Sequence, residues 1–151
     1  MNAIAKFETF YQNLASMKVE ELPSLYSHDV IFIDPIARHK GIDAVKTYFS
    51  KLLENAKHCT FTIHLVEQTS PVKQTNEKNI AQPTYLVTWT MIFTSDRMNK
   101  GQPITVDGIT HLKIKDDKIA YHRDYYDLGQ MVYENIPLLG RLIKMIKRTI
   151  G

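Results

Sequence analysis

The chain has 151 residues, 44% of them hydrophobic and 23% charged, with one cysteine. That length suits a single domain with a real core, and the balance is not that of a disordered, collagenous or coiled-coil chain. Cys59 alone allows no intramolecular disulfide and no Cys-rich metal site. No uncharged apolar run approaches the ~18 residues of a membrane span. The first residues, which include Lys6 and Glu8, lack a signal peptide's apolar stretch, so a cytoplasmic protein is expected.

The net charge of +3 comes from one end of the chain. Residues 136–151 hold Arg141, Lys144, Lys147 and Arg148 and no acid; the remaining 15 basic residues face 16 acidic ones. A nucleic-acid binder carries a basic stripe interleaved with aromatics along its body. None is present, so no nucleic-acid partner is expected.

In chain order, Ile4, Phe7, Phe10/Tyr11 and Leu14 mark an amphipathic helix from Ala3 to about Leu14. A short helical segment follows over 19–26, with Pro23 in its first turn, where a missing N–H is tolerated. VIFID at 30–34 reads as a strand ending at Pro35, which keeps Asp34 extended. Beyond Gly41, the apolar positions Ala44, Val45, Tyr48, Phe49, Leu52 and Leu53 mark a third helix.

The segments 59–66, 84–93, 104–115 and 118–126 alternate with period two, as strands do. Asp116-Asp117-Lys118 is a hairpin turn, and the polar run 67–83 reads as a long mobile loop. A last helix is expected after Pro137. The order predicts an α+β fold: helices, a run of antiparallel strands, then a terminal helix.

Helix, short helix, LYSHDVIFIDP (25–35), GIDAVKTYF (41–49) and four long strands resemble the NTF2-like superfamily, and more narrowly SnoaL-like polyketide cyclases and ketosteroid isomerases. The resemblance implies a cone-shaped, cystatin-like fold with N-terminal helices packed on a strongly curved antiparallel sheet. One domain spans 1–127, and 128–151 form a cationic amphipathic helix packed on it or extending it. Alternation then puts Cys59, Phe61, Ile63 and Leu65 inside, with Tyr85, Val87, Trp89, Met91 and Phe93, and Val106, Gly108, Thr110, Leu112 and Ile114. The last strand's parity is ambiguous from hydrophobicity; the resemblance puts Ala120, His122, Asp124 and Tyr126 inside.

The same resemblance places Asp34 where ketosteroid isomerases carry a general base. Between Ile33 and Pro35 it is partly desolvated, which suits that role, or it caps the following turn. The isomerase pattern then breaks: Phe10 stands in place of a tyrosine donor and Thr110 in place of a protonated acid. His122 and Asp124, spaced i, i+2, share one side of a strand and form an acid/base pair if that side is interior. Some SnoaL-like cyclases use an Asp and a His. Epoxide hydrolases of the superfamily use Asp-Arg-Asp, but Arg123 falls on the opposite parity. Phe10, Tyr48, Trp89, Thr110 and Tyr126 are the expected pocket residues, with Arg38 and His39 at its rim.

No HxH or HExxH spacing suggests a metal, and no cofactor is expected. Two functions remain open. One is a cofactor-free isomerase, cyclase or lyase acting on a small apolar carbonyl compound. The other is a non-catalytic module that binds a small molecule or a protein through the cone and the basic helix. The terminal helix has three expected settings: against its own domain, a second subunit, or an anionic membrane. A homodimer through the outer sheet face, with Thr60, Thr62, Thr88, Thr90 and Ile92, is expected.

Overall fold

The computed structural model describes residues 1–69 and 82–151. Helix α1, Ala3–Gln12, starts where the Asn2 side chain accepts from the Ala5 amide at 2.9 Å, a capping bond that satisfies a free helix-end donor. It buries Ala3, Phe7 and Tyr11, one position per turn along a single face. A short turn over Leu14–Ser16 adds Leu14 to the core, and α2, Leu22–Leu25, carries Pro23 in its first turn as expected. Strand β1, Tyr26–Ile33, begins four residues before the expected start because polar Ser27, His28 and Asp29 mask its first half.

The three-residue β2, Arg38–Lys40, was not foreseen: it is too short and too charged to show alternation. It folds back antiparallel on β1, pairing Ile33 with Arg38 and Ile31 with Lys40. Gly41, at φ 86°, then turns the chain into α3, Ile42–Asn55, and its N–H donates to the Val30 carbonyl at 2.8 Å. That positive φ suits glycine, which lacks a Cβ to clash.

Four longer strands follow: β3, Lys57–Thr69; β4, Thr84–Thr94; β5, Ile104–Lys115; and β6, Lys118–Tyr126. Most of the expected loop over 67–83 falls on 70–81, outside the described residues. Between β5 and β6, Asp116 and Asp117 both have positive φ, the geometry of a two-residue hairpin whose twist matches its strands. Asp117 Oδ1 also accepts from the Ala3 amide at 2.8 Å, tying the start of α1 to this hairpin.

The sheet order is β2-β1-β6-β5-β4-β3. It is antiparallel except between β1 and β6, which run parallel with Phe32 beside His122 and Ile33 beside Arg123. The helices pack on the inner face, and the core joins Phe7, Tyr11, Phe49, Val87, Leu112 and Ile119 among others. This curved sheet wrapped on N-terminal helices is the cone-shaped α+β fold expected from the sequence.

Parity holds along β4 and β5 and slips at two bulges. In β3 the register shifts between Ile63 and Leu65, which turns Leu65 outward at 45% exposure and brings half-buried Val66 against the core. In β6 the shift opposite Lys113/Ile114 makes Ile119, rather than Ala120, the buried residue, while His122 stays inside. An extra residue in one strand reverses the faces beyond it, so strict alternation misplaces Leu65, and the inward place that the resemblance gave Ala120 fails for the same reason.

The chain ends in α4, Leu128–Met131, a tight turn over Tyr133–Asn135, and α5, Leu139–Ile150. Helix α5 begins two residues after Pro137, so the proline precedes the helix instead of opening it. It packs mainly on the Tyr133–Asn135 turn. Gly140 makes this approach feasible: a Cβ there would lie 2.2 Å from the Glu134 carbonyl oxygen.

Candidate functional site

Inward parity on β6 brings His122, Asp124 and Tyr126 into the cone. His122 is fully buried and stacks on Phe32 with ring centroids 4.2 Å apart. Its Nδ1 lies 2.9 Å from the Tyr26 hydroxyl and its Nε2 2.8 Å from Asp124 Oδ1. The Tyr26 hydroxyl in turn lies 2.9 Å from that of Tyr11. On the other side, the Thr110 hydroxyl donates to Asp124 Oδ1 at 2.5 Å, and the Trp89 indole N–H donates to Thr110 Oγ1 at 2.8 Å. One hydrogen-bonded chain therefore runs Tyr11–Tyr26–His122–Asp124–Thr110–Trp89. Buried polar groups are costly unless paired, and here each partner satisfies the next.

The chain bonds Asp124 unevenly. Oδ1 accepts two hydrogen bonds, whereas Oδ2 has no protein donor among the described residues. Tyr126 follows two residues later on the same face, and its ring centroid lies 6.2 Å from that of Trp89. The Tyr126 hydroxyl also has no protein partner among the described residues. Burial, then the charges of Asp34 and Asp124, push its pKa well above the ordinary phenol range. Tyr126 therefore stays a neutral O–H donor across the physiological range. Trp89 can lie flat here because Gly108 is opposite it: a Cβ on Gly108 would come within 2.3 Å of the indole.

Asp34 is buried at 6% exposure, and both of its oxygens are engaged. Oδ1 accepts from the Ile36 and Ala37 amides, both at 2.8 Å, and Oδ2 accepts a hydrogen bond from the Tyr48 hydroxyl. These are the bonds of an aspartate that shapes the turn after Pro35. Burial first, then the Asp34 charge, keeps Tyr48 protonated. The His39 ring lies tilted against Tyr48 with ring centroids 4.4 Å apart, and its buried Nε2 has no hydrogen-bond partner among the described residues; Arg38 is exposed.

Phe10 is half-buried between Tyr11 and Phe49, with ring centroids 5.4 and 6.2 Å away, and nothing ties it to the carboxylates. Arg123 turns outward and lies over the Tyr125 ring at 4.7 Å, so the Asp-Arg-Asp arrangement does not assemble in the cone. Tyr11 and Tyr26 are the polar-network residues that sequence reasoning missed. Their only sequence signal is a phenol in an apolar stripe, where a buried hydroxyl needs a partner.

A small apolar cleft of about 20 Å³ opens farther along the inner face, lined by Leu52 and Leu53 of α3, Cys59, Met91, Phe93 and Met131, among others. Leu52 lies one helical turn from Tyr48, and Met91 lies two residues from Trp89. The cleft therefore begins about 7 Å along the sheet from the Trp89–Tyr126 row. Burial pushes the Cys59 thiol up to about 11. At pH 8 only about one thiol in a thousand is then ionised. Disulfide-exchange labelling of the native protein is expected to run at least about tenfold slower than labelling of the unfolded chain. Equal rates would mean that the cleft wall is open to solvent.

Among the described residues, no three His, Cys, Asp or Glu side chains are grouped to hold a metal ion, and no helix is long and apolar enough to cross a membrane.

A helix-filled cone with polar groups on its inner strands defines the class, and the comparisons agree with it. The SnoaL-like domain family matches residues 7–122, and the chain belongs to that family. No curated protein sequence matches it. The structure is similar to that of a hypothetical protein from Catenulispora acidiphila DSM 44928 with a ketosteroid isomerase-like fold, solved in complex with trimethylamine. The TM-score is 0.69 at 15% identity, over 87% of this chain and 92% of that one. It is also similar to a Jannaschia protein classed by likeness as a SnoaL-like polyketide cyclase, with TM-score 0.65 and 13% identity over 85% and 88% of the two chains. An LEH-like epoxide hydrolase from M. tuberculosis aligns with TM-score 0.63 and 16% identity over 85% and 81%. At these identities the likeness concerns the fold.

Proposed function

We propose that the protein is a cofactor-free acid/base catalyst acting on a small, mostly apolar carbonyl compound, of the isomerase, cyclase or lyase type. The observation that carries this reading is the uneven bonding of Asp124: one oxygen is fixed by His122 and Thr110, and the other is open beside neutral Tyr126. In this reading Asp124 Oδ2 takes a proton from the carbon next to the carbonyl. The electron pair of that C–H bond becomes the enolate, and the Tyr126 hydroxyl donates to the enolate oxygen. Asp124 then returns the proton to another carbon or to a leaving group. His122 steadies the carboxylate through the cycle. Asp34 holds Tyr48 and the turn at the rim with bonds to both oxygens, and in this proposal the base role goes to Asp124 in its place.

The cleft's apolar lining suits the body of such a substrate, but at about 20 Å³ it has room for little more than one water, so a substrate must displace side chains of the lining to enter. A screen of ketones, lactones and epoxides is expected to find turnover that disappears in Asp124→Asn while ligand affinity is kept. Absence of turnover across the panel, with apolar ligands still captured, would instead favour the binding-module reading. That reading draws support from the fully bonded state of Asp34. The outer sheet face, where Leu65, Leu86, Ile92 and Ile109 stand exposed, suits a second copy of the chain.

A further inference from the structure

The last helix presents an apolar side that its own domain leaves uncovered. Leu139, Leu142, Ile143, Ile146 and Ile150 recur at three- and four-residue steps along α5. Of these, Leu142, Ile146 and Ile150 are 49%, 47% and 82% exposed. Leu138, just before the helix, is 75% exposed and sits at φ 65°, a conformation that disfavours a branched side chain. The helix is nonetheless fixed in place. Gly140 lies against the Glu134 backbone, and the Lys147 ammonium bonds Glu134 Oε1 at 2.5 Å.

We propose that α5 is a docking helix for an anionic lipid surface, with its apolar stripe in the headgroup–acyl boundary and its cations at the phosphates. The charge pattern selects this occupant. Lys147 neutralises Glu134, the one acid in the adjoining turn, and among the described residues Arg141, Lys144 and Arg148 make no ion pair. A stretch of sixteen residues with four cations, three of them left without an ion pair among the described residues, and no acid complements a surface of uniform negative charge. A second copy fits less well, because pairing two α5 stripes would leave Arg141, Lys144 and Arg148, on the far side of each helix, facing solvent, whereas a lipid surface engages the stripe and the cations together. The α4 turn that gives Met131 to the cleft also leads into α5, so lipid docking would hold the cleft near a source of apolar molecules. The docking proposal stands whether or not the cone is catalytic.

The test is co-sedimentation of the full chain with phosphatidylcholine vesicles, with and without about one-third phosphatidylglycerol. Binding is expected only to the anionic vesicles and is expected to weaken at high salt. Leu142→Glu with Ile146→Glu should abolish binding without changing the melting temperature of the cone, since both side chains point to solvent. Lys144→Glu with Arg148→Glu, which leaves the apolar stripe intact, should weaken it at least about twentyfold. The proposal is overturned if anionic vesicles are not bound, or if neutral and anionic vesicles bind alike. It is equally overturned if sedimentation velocity shows a dimer that the Leu142/Ile146 pair of substitutions dissolves.

Discussion

His122→Ala is expected to cost about 3–5 kcal/mol of folding stability, a fall in melting temperature on the order of 10 °C for a domain of this size. Three losses add. The ring leaves a cavity against Phe32, the Tyr26 hydroxyl loses its partner at 2.9 Å, and Asp124 Oδ1 loses one of two donors. His122→Phe separates packing from polar satisfaction: it fills the space but pairs neither Tyr26 nor Asp124, and should recover about half of the loss. A fall of less than about 1 kcal/mol for the alanine variant would mean that water or a rearranged Tyr26 satisfies these groups. In that case the chain of hydrogen bonds would not be what holds Asp124.

Asp124→Asn is expected to act on turnover and hardly on folding. The amide oxygen still accepts from His122 Nε2 and the Thr110 hydroxyl, so stability should stay within about 1 kcal/mol of wild type. What disappears is the carboxylate able to carry a proton, and loss of a general base typically lowers kcat by about 10²- to 10⁴-fold. Thr110→Val provides the contrast. It removes one donor to Asp124 and leaves the Trp89 N–H unpaired, which should cost about 1–3 kcal/mol of stability. It should lower kcat less, because the base remains. If Thr110→Val abolished turnover and Asp124→Asn spared it, the assignment of the base would be wrong.

The sequence was most readable where one face of a strand meets the core. On β4 and β5, alternation alone placed Val87, Trp89, Val106, Thr110 and Leu112 inward, because each opposes a core neighbour at regular spacing. It misplaced Leu65, and the resemblance misplaced Ala120, since a bulge is a backbone event with no composition of its own. β2 was invisible because three residues of charge and imidazole carry no period. The pairing of His122 with Asp124 followed from their spacing, but their link to Tyr26 depends on β1 lying parallel beside β6, which is a tertiary fact. Asp34 shows the same limit: an aspartate before proline suits a base or a turn cap alike, and its bonds to Ile36, Ala37 and Tyr48 are those of the cap. For α5, periodicity revealed an apolar stripe, yet no periodicity says what covers it.

Proton abstraction by Asp124 would show as hydrogen–deuterium exchange at the carbon beside a bound ketone's carbonyl. Small cyclic and bicyclic ketones would be incubated with the protein in deuterated buffer, and the signals of the protons beside the carbonyl followed by NMR. Protein-dependent loss of those signals in wild type, absent in Asp124→Asn and slowed in Tyr126→Phe, is the predicted result. Exchange no faster than buffer for every ketone that binds, or exchange that survives Asp124→Asn, would contradict the assignment of Asp124 as the base.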